Sequence, residues 1–377
     1  MKEVSQKYKT PVLFIDKKKL RDNYRALREA FPDFRICYAI KSNSDPGIIE
    51  ILRQEGSHFE TASLGEILFL RSLGIPGEHI IYSNPVKSAE SIARAIEENI
   101  TEIAFDSLEE LEKFLPYREK AKLIFRIAVP NEGSLWPLSG KFGAPEYLWD
   151  DIFEYMKNEG LHLYGVTFHP GSQAELLTAW DAAMRVAWRC IDEARDYYGL
   201  NPTCLNIGGG FPVYLGREIP SVHQIAEVVY DHLRYWKDHE GYEVQELICE
   251  PGRFLSGSAG YLVCKVVGVA RREKNWVFLD SGVFSGLMET IDGITYPFET
   301  TSTGNKERVI FCGPSCDSVD KMFEVDLPHP KTGDKICFSG AGAYTTVYAS
   351  HFNGFEPPQI VYLEEVKSPH ELLELVG

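Results

Sequence analysis

The chain has 377 residues, of which 44% are hydrophobic and 25% charged, which is enough for two domains or for one barrel with a second module. Its formal net charge of −16 argues against a nucleic-acid partner, because binding to phosphates requires a basic surface. The sequence has no apolar run of about 18 residues and no signal-peptide core in residues 1–10, so we expect a cytoplasmic protein without a membrane partner.

Helical and strand-like segments alternate along the chain from about residue 17. The first helix is indicated by an apolar stripe of Leu20, Tyr24, Leu27 and Phe31, and the first strand follows at 35–42. Further strands are predicted at 58–63, 80–83, 102–106, 122–128, 163–169, 204–208 and 246–250. Helices between them are predicted at 64–73, 90–98, 108–115, 147–158, 180–198 and 222–236.

Strands that are separated by helices pair in parallel through right-handed crossovers. Eight such units predict an α/β fold with a (β/α)8 TIM barrel over residues 17–255, and an open doubly wound sheet is the alternative. The pattern then changes to strands at 260–271, 276–280, 308–312 and 334–338, which predict a β-rich domain over residues 256–377. A strand at 10–15 precedes the first helix, and we expect residues 1–16 to join this second domain.

Eight dispersed cysteines carry little functional signal in this chain. Cys37, Cys249 and Cys264 lie in apolar strand-like segments, which is typical of buried free thiols in a reducing compartment. Cys312 and Cys316 have no second pair of cysteines or histidines near them, so no metal site is predicted.

The first predicted strand ends at Lys41, within the segment YAIKSN at 38–43. Burying an ammonium group is costly unless it is paired or chemically used. Lys41 could simply extend from the strand end into water. The alternative is an amine of lowered pKa that forms a Schiff base with a carbonyl cofactor.

The other strand ends favour the second interpretation, because active-site residues of such barrels lie at the carboxyl ends of the strands. These positions hold Glu60, Arg126, His169, the glycines Gly208, Gly209 and Gly210, and Glu250. Glycines without a Cβ allow backbone N–H groups to approach a phosphate, and Gly252 and Arg253 add a second glycine and a cation. An anchored phosphate, an imine-forming lysine and a carboxylate for a ring nitrogen together indicate pyridoxal 5′-phosphate (PLP). Without the glycines and Glu250, a Schiff-base aldolase would fit equally well.

The motifs occur in an order that resembles the fold-type III PLP-dependent decarboxylases of basic amino acids, most closely the bacterial ornithine or lysine/ornithine enzymes. They are YAIKSN at 38–43, WPL at 136–138, KFG at 141–143, HPGS at 169–172, the glycines at 208–210, EPGR at 250–253, SGLMET at 285–290, CGPSCD at 312–317, Tyr344 and FNGF at 352–355. The resemblance extends over nearly the whole chain and implies an alanine racemase-like barrel with a β-domain.

The resemblance also implies a homodimer with two shared active sites. Lys41 would hold the cofactor, with His169 against its ring, Glu250 at its nitrogen, and Glu60 and Arg126 nearby. The phosphate would contact Ser172, Gly209, Gly210, Arg253 and Tyr344. Cys316 of the partner subunit would protonate the α-carbon after CO2 has left, so the product would be an amine.

The substrate's distal group would bind Asp317, again by resemblance, in a charge-assisted hydrogen bond. Residues 284–297 contain no arginine for a distal carboxylate, but Glu289 and Asp292 suit an amine, and Phe352 is a further expected contact. L-Ornithine, the precursor of putrescine in polyamine biosynthesis, is therefore expected first and lysine second. Arginine and carboxyspermidine-type compounds are further possible substrates. The alternative outside the enzymes is a regulatory homologue without catalytic activity.

Overall fold

A closed barrel of eight parallel strands forms the first part of the computed structural model, which describes residues 7–136 and 140–377. Strand β1 (Val12–Asp16) precedes it. The barrel strands are β2 (Phe34–Ala39), β3 (His58–Thr61), β4 (Ile80–Tyr82), β5 (Glu102–Phe105), β6 (Lys122–Arg126), β8 (Leu163–Thr167), β10 (Cys204–Asn206) and β11 (Glu246–Cys249). Strand β11 pairs with β2 and closes the ring, which confirms the predicted TIM barrel and excludes the open sheet.

Two short strands outside the barrel, β7 (Ser134–Trp136) and β9 (Ser172–Ala174), pair antiparallel with each other. Each belongs to a segment that follows a barrel strand, β7 after β6 and β9 after β8. The motif residues Pro137 and Leu138 lie outside the described residues.

Helices connect the barrel strands and cover the outside of the barrel. They are α1 (Lys17–Ala30), α2 (Pro46–Gln54), α3 (Leu64–Ser72), α4 (Ala89–Glu97), α5 (Leu108–Glu112), α6 (Trp149–Glu159), α7 (Leu177–Asp196), α8 (Val222–Glu240), α9 (Arg253–Ser256) and α10 (Pro369–Leu375), the last after the second sheet. The predicted stripe of α1 is buried from Leu20 to Phe31, and Asp16 caps this helix by accepting a hydrogen bond from the Lys19 N–H at 2.8 Å. None of the helices in the described ranges is long and apolar enough to cross a membrane.

The second part of the chain is a β-rich sheet. Its strands are β12 (Gly260–Arg271), β13 (Asn275–Leu279), β14 (Phe298–Thr300), β15 (Lys306–Cys312), β16 (Lys321–Pro328), β17 (Lys335–Ser339) and β18 (Gln359–Leu363). Strand β1 pairs antiparallel with β12 and parallel with β18, so the N-terminal strand belongs to this sheet, as predicted. Strands β14, β16 and β18 were not predicted.

The interior of the barrel is filled by side chains. A separate buried cluster takes one residue from each of six barrel strands, namely Cys37, Ile81, Ile124, Tyr164, Cys204 and Ile248. The larger core lies outside the strands, where the helices and the second sheet pack on them. A filled interior leaves room for a site only at the ends of the barrel.

A buried lysine connects three segments at the carboxyl ends of the barrel strands. Lys87 Nζ donates hydrogen bonds to the carbonyl oxygens of Asn84 at 2.8 Å and Ala104 at 2.6 Å, and forms an ion pair with Glu110 at 3.1 Å. These partners lie after β4, in β5 and in α5. Burial lowers the pKa of Lys87 to about 8, although the charge of Glu110 opposes the shift.

This shift makes the contribution of Lys87 to stability depend on pH. The folded pKa of about 8 lies below the ordinary 10.5, so the unfolded chain binds more protons between these pH values. The unfolding free energy of the native protein, relative to Lys87→Met, should therefore rise across this range by up to about 3 kcal/mol. Urea unfolding at several pH values measures the difference.

Lys113→Met is the matched control, because Lys113 contacts the same Glu110 carboxylate at 2.6 Å with 32% of its side chain exposed. The interpretation is wrong if the difference between the native protein and Lys87→Met does not grow as the pH rises.

Candidate active site

The carboxyl ends of the barrel strands surround a cavity of about 270 Å3. Most of the site residues predicted from the sequence line it: Lys41, Glu60, Arg126, His169, Ser172, Gly209, Gly210, Glu250, Gly252, Arg253, Glu289 and Tyr344. Lining residues for which the sequence analysis proposed no contact with cofactor or substrate are Ala39, Ala62, Ser83, Asn84, Phe142, Thr167, Phe168, Phe211 and Tyr348. The structure thus brings together residues that are far apart in the sequence.

Lys41 lies in a short 3-10 turn, Ile40–Ser42, directly after β2. Its Nζ is 2.5 Å from Oε2 of Glu60, which is on β3 and only 1% exposed. Burial lowers the pKa of Lys41, but the charges of Glu60, Tyr344 and Glu250 outweigh it, and the net pKa is raised. The expected lowering of the Lys41 pKa is therefore wrong, because the sequence did not reveal how close the carboxylate of Glu60 would be.

Glu250 follows β11, and its carboxylate is held by two hydrogen bonds. Ser83 Oγ and Asn206 Nδ2 each donate to Oε1 at 2.5 Å. The pKa of Glu250 is raised, because burial and the charge of Glu60 outweigh the opposing effects of Lys41 and the two donors. The sequence analysis missed Ser83 and Asn206, although both lie at strand ends, where polar side chains are a signal in this fold.

His169 follows β8 and accepts a hydrogen bond at Nδ1 from the Gly171 N–H at 3.1 Å. Burial and the positive charges of Arg126 and Lys41 lower its pKa well below the ordinary value. The imidazole is therefore neutral, and its proton lies on Nε2. Arg126 is placed over the ring of Phe142, 5.1 Å from the ring centre, which adds an aromatic contact to this side of the cavity.

The three consecutive glycines lie where two backbone segments touch. A Cβ on Gly210 would be 2.5 Å from the Gly171 carbonyl oxygen, and one on Gly209 would be 2.7 Å from that of Glu250. Gly208 has a φ of +67° and accepts the Glu250 N–H at 2.7 Å. Gly209 and Gly210 line the cavity, whereas Gly208 is not among the described lining residues. Its positive φ and a Phe168 carbonyl oxygen that would lie 2.1 Å from a Cβ explain the glycine at this position.

Arg253, the first residue of α9, forms a buried ion pair with Glu289, and each side chain is 4% exposed. Arg253 Nη1 donates to Glu289 Oε2 at 2.8 Å, Nη2 donates to Oε1, and Tyr296 donates its hydroxyl to Oε2 at 3.2 Å. The guanidinium also lies 4.7 Å from the ring centre of Tyr344. Both oxygens of Glu289 are thus bound by Arg253, which argues against the predicted contact of Glu289 with a substrate amine.

The remaining predicted residues lie on the surface of the second sheet. Asp292, Cys316, Asp317 and Phe352 are exposed, and the described lining of the cavity includes none of them. The Cys316 N–H donates to Asn353 Oδ1 at 3.1 Å, and the Phe352 ring packs on Phe284 with 4.8 Å between ring centres. The segments around Cys316 and Phe352 are therefore neighbours on one exposed surface.

Comparison with known proteins gives consistent similarities. The family model described as pyridoxal-dependent decarboxylase, pyridoxal binding domain, matches residues 17–257. The lysine/ornithine decarboxylase of Selenomonas ruminantium is 35% identical, over 99% of this chain and 95% of the relative. The crystal structure of lysine/ornithine decarboxylase complexed with cadaverine from Vibrio vulnificus has a TM-score of 0.85 and 30% identity, covering 94% of this chain and 95% of that one. The crystal structure of SrLDC in complex with PLP and cadaverine has a TM-score of 0.85 and 33% identity, covering 99% of this chain and 94% of that one.

The residues of the cavity fit PLP on the structure's own evidence. Gly209 and Gly210 leave backbone exposed to the cavity where any side chain would collide. Arg253 Nε is buried and has no hydrogen-bond partner in the part of the chain that the structure describes. Lys41 provides a primary amine, and Glu250 provides a carboxylate for a ring nitrogen. These are the three contacts that this cofactor requires.

The ion pair between Arg253 and Glu289 predicts a large effect on stability. Glu289→Gln preserves the shape of the side chain but leaves the Arg253 charge buried without a counter-charge, so the unfolding free energy should fall by about 3 kcal/mol. Denaturant unfolding measures this change. The matched control is Glu299→Gln at an exposed glutamate of β14, which should have little effect. An equally small effect of both variants would contradict the importance of the buried pair.

Proposed function

Because this chain belongs to the pyridoxal-dependent decarboxylases, we propose that it removes the α-carboxylate of L-ornithine as CO2 and releases putrescine. The chain is a PLP-dependent decarboxylase of basic amino acids. The choice of ornithine, the roles of individual residues and the dimer are our proposals.

One observation supports this reaction best. A lysine amine and a buried carboxylate lie in the same cavity, each held by its own partners, Lys41 by Glu60 and Glu250 by Ser83 and Asn206. An aldolase needs the lysine but gives no reason for a carboxylate that is fixed by two donors. A decarboxylase uses both.

When bound, PLP supplies an electron sink for the pair of electrons that remains on the α-carbon as CO2 leaves. Lys41 would present its amine to the cofactor's carbonyl carbon, and Glu60 Oε2, which lies 2.5 Å from Nζ, would be placed to take a proton from it. Glu250 would accept a hydrogen bond from the N–H of the ring nitrogen and so favour the protonated ring. His169 would lie against the ring as a neutral imidazole, which would add no positive charge next to it.

The phosphate end of the cofactor would lie at Ser172, Gly209 and Gly210. Arg253 and Tyr344 complete this end, and Glu289 holds Arg253 in place through two hydrogen bonds. We therefore propose that Glu289 positions the guanidinium of Arg253 and does not bind the substrate.

We further propose that two copies of the chain share their active sites. Residues 17–255 would form the cofactor domain, and residues 1–16 and 256–377 the domain that contributes Cys316 and Asp317 to the partner's cavity. Large apolar side chains are exposed near these residues, with Val319 at 51% and Phe352 at 40%. Such exposure is typical of a surface that another protein covers.

The distal group of the substrate is proposed to be an ammonium. Residues 284–297 contain no arginine that could bind a distal carboxylate, and Arg253 is already paired with Glu289. Lysine is the second candidate, because relatives are named lysine/ornithine decarboxylase and the Vibrio vulnificus structure contains cadaverine. Ornithine and lysine differ by one methylene, which a pocket distinguishes by about 1–3 kcal/mol.

CO2 release from ornithine, lysine, arginine and diaminopimelate tests the substrate assignment. We expect the highest kcat/KM for ornithine and the next for lysine. Asp317→Asn should lower both by about 10- to 100-fold, because a hydrogen bond to a charged group is lost. Ser318→Ala, at the exposed neighbouring residue, is the control and should leave both unchanged. A preference for diaminopimelate, or full activity of Asp317→Asn, would refute the assignment.

Mixing two inactive variants tests the shared site. Lys41→Ala lacks the cofactor's amine and Cys316→Ala lacks the proposed proton donor, so each should form little putrescine alone. After subunit exchange, about half of the dimers are mixed and have one intact site, so about a quarter of the native activity should return. Mixed dimers are verified with two different affinity tags. If exchange occurs but activity does not return, both residues act within one chain and the shared site is wrong.

A further inference from the structure

We propose that Gln173 is a positioning residue for the phosphate end of the cofactor site. Its side-chain amide ties the segment that contains Ser172 to residues 208–213, here called the glycine loop. The inference rests on the proposed placement of the phosphate at Ser172, Gly209 and Gly210. Gln173 itself is not among the described residues that line the cavity.

The amide of Gln173 makes two hydrogen bonds to one residue of the glycine loop. Gln173 Nε2 donates to the Val213 carbonyl oxygen at 2.9 Å, and the Val213 N–H donates to Gln173 Oε1 at 2.7 Å. Both bonds are buried, and Gln173 is 1% exposed. A side-chain amide that satisfies both backbone groups of one residue fixes the position of that residue in two directions.

The backbone of Gln173 is in the left-handed region, with a φ of +55°. Residues other than glycine rarely adopt this conformation, and they do so where the surrounding structure compensates for the strain. Here the turn allows Ser172 to line the cavity while the next side chain reaches Val213. The two hydrogen bonds to Val213 are the compensation.

Two further contacts extend this connection on either side of Gln173. The Ala174 N–H donates to the Gly210 carbonyl oxygen at 2.9 Å, so the glycine loop is held at a second point. On the other side, Ser172 and Ala174 pair with Trp136 and Ser134 in the β7–β9 sheet. Gln173 is thus the central residue of a strand that links the glycine loop to the segment after β6.

The experiment compares the binding of PLP and of pyridoxal, which lacks the phosphate, to the full-length protein freed of cofactor. In Gln173→Met the side chain keeps its length but loses both hydrogen bonds. We expect the dissociation constant for PLP to rise about tenfold and that for pyridoxal to stay unchanged, since only the phosphate contacts are displaced. Absorbance titration measures both constants. An equal loss for the two ligands, or no loss for either, overturns the positioning role.

Two other variants separate this role from a general structural effect. Gln173→Gly removes the hydrogen bonds without backbone strain, so it should fold and still lose affinity for PLP selectively. Native PLP affinity in Gln173→Gly would overturn the proposal. The control is Ser302→Ala, which loses a hydrogen bond to Asp334 at 2.8 Å in the second sheet. This variant should bind both ligands as the native protein does. Hydrogen exchange at the Val213 amide should accelerate in both Gln173 variants but not in the control.

Ser172→Ala tests the underlying placement of the phosphate independently. If Ser172→Ala loses PLP affinity selectively and Gln173→Met does not, the positioning role alone is wrong. If neither loses PLP affinity selectively, the placement of the phosphate at this loop is wrong as well.

Discussion

The ion pair between Lys41 and Glu60 lies at the centre of the cavity's electrostatics. The two groups come from neighbouring barrel strands, and their 2.5 Å contact helps to raise the pKa of an amine that burial alone would lower. Arg253 and Glu289 repeat the arrangement, and so do Lys87 and Glu110 next to the cavity. In these three pairs the carboxylate comes from a different segment than the cation, so each pair also holds two segments of the chain together.

This arrangement explains which features the sequence could predict. The alternation of helices and strands identified the barrel, because apolar periodicity depends on neighbours that are close in sequence. Lys41 and Glu250 were found because a charged residue at the end of a buried strand is conspicuous. In the second sheet, β14 has three residues and β16 alternates charged and apolar side chains, so neither resembles the continuous apolar runs by which the other strands were recognised.

The missed features of the site depend on distances between segments that are far apart in the sequence. Ser83 and Asn206 reach Glu250 from two different strands, and Glu289 reaches Arg253 across 36 residues. The sequence analysis therefore assigned Glu289 to the site but could not show that it is paired with Arg253. The predicted lowering of the Lys41 pKa is wrong for the same reason, because the shift depends on the distance to Glu60. The glycines at 208–210 were assigned to a phosphate, but the sequence could not show that close contacts with other backbone segments also require them.

The filled interior of the barrel has a consequence for the traffic of small molecules. The cluster of Cys37, Ile81, Ile124, Tyr164, Cys204 and Ile248 forms a packed floor beneath the cavity. In the part of the chain that the structure describes, this floor separates the cavity from the opposite end of the barrel, so a substrate would enter from the side where the strands end. Any surface that covers this side of the barrel would therefore control the entry of a substrate and the exit of its products together.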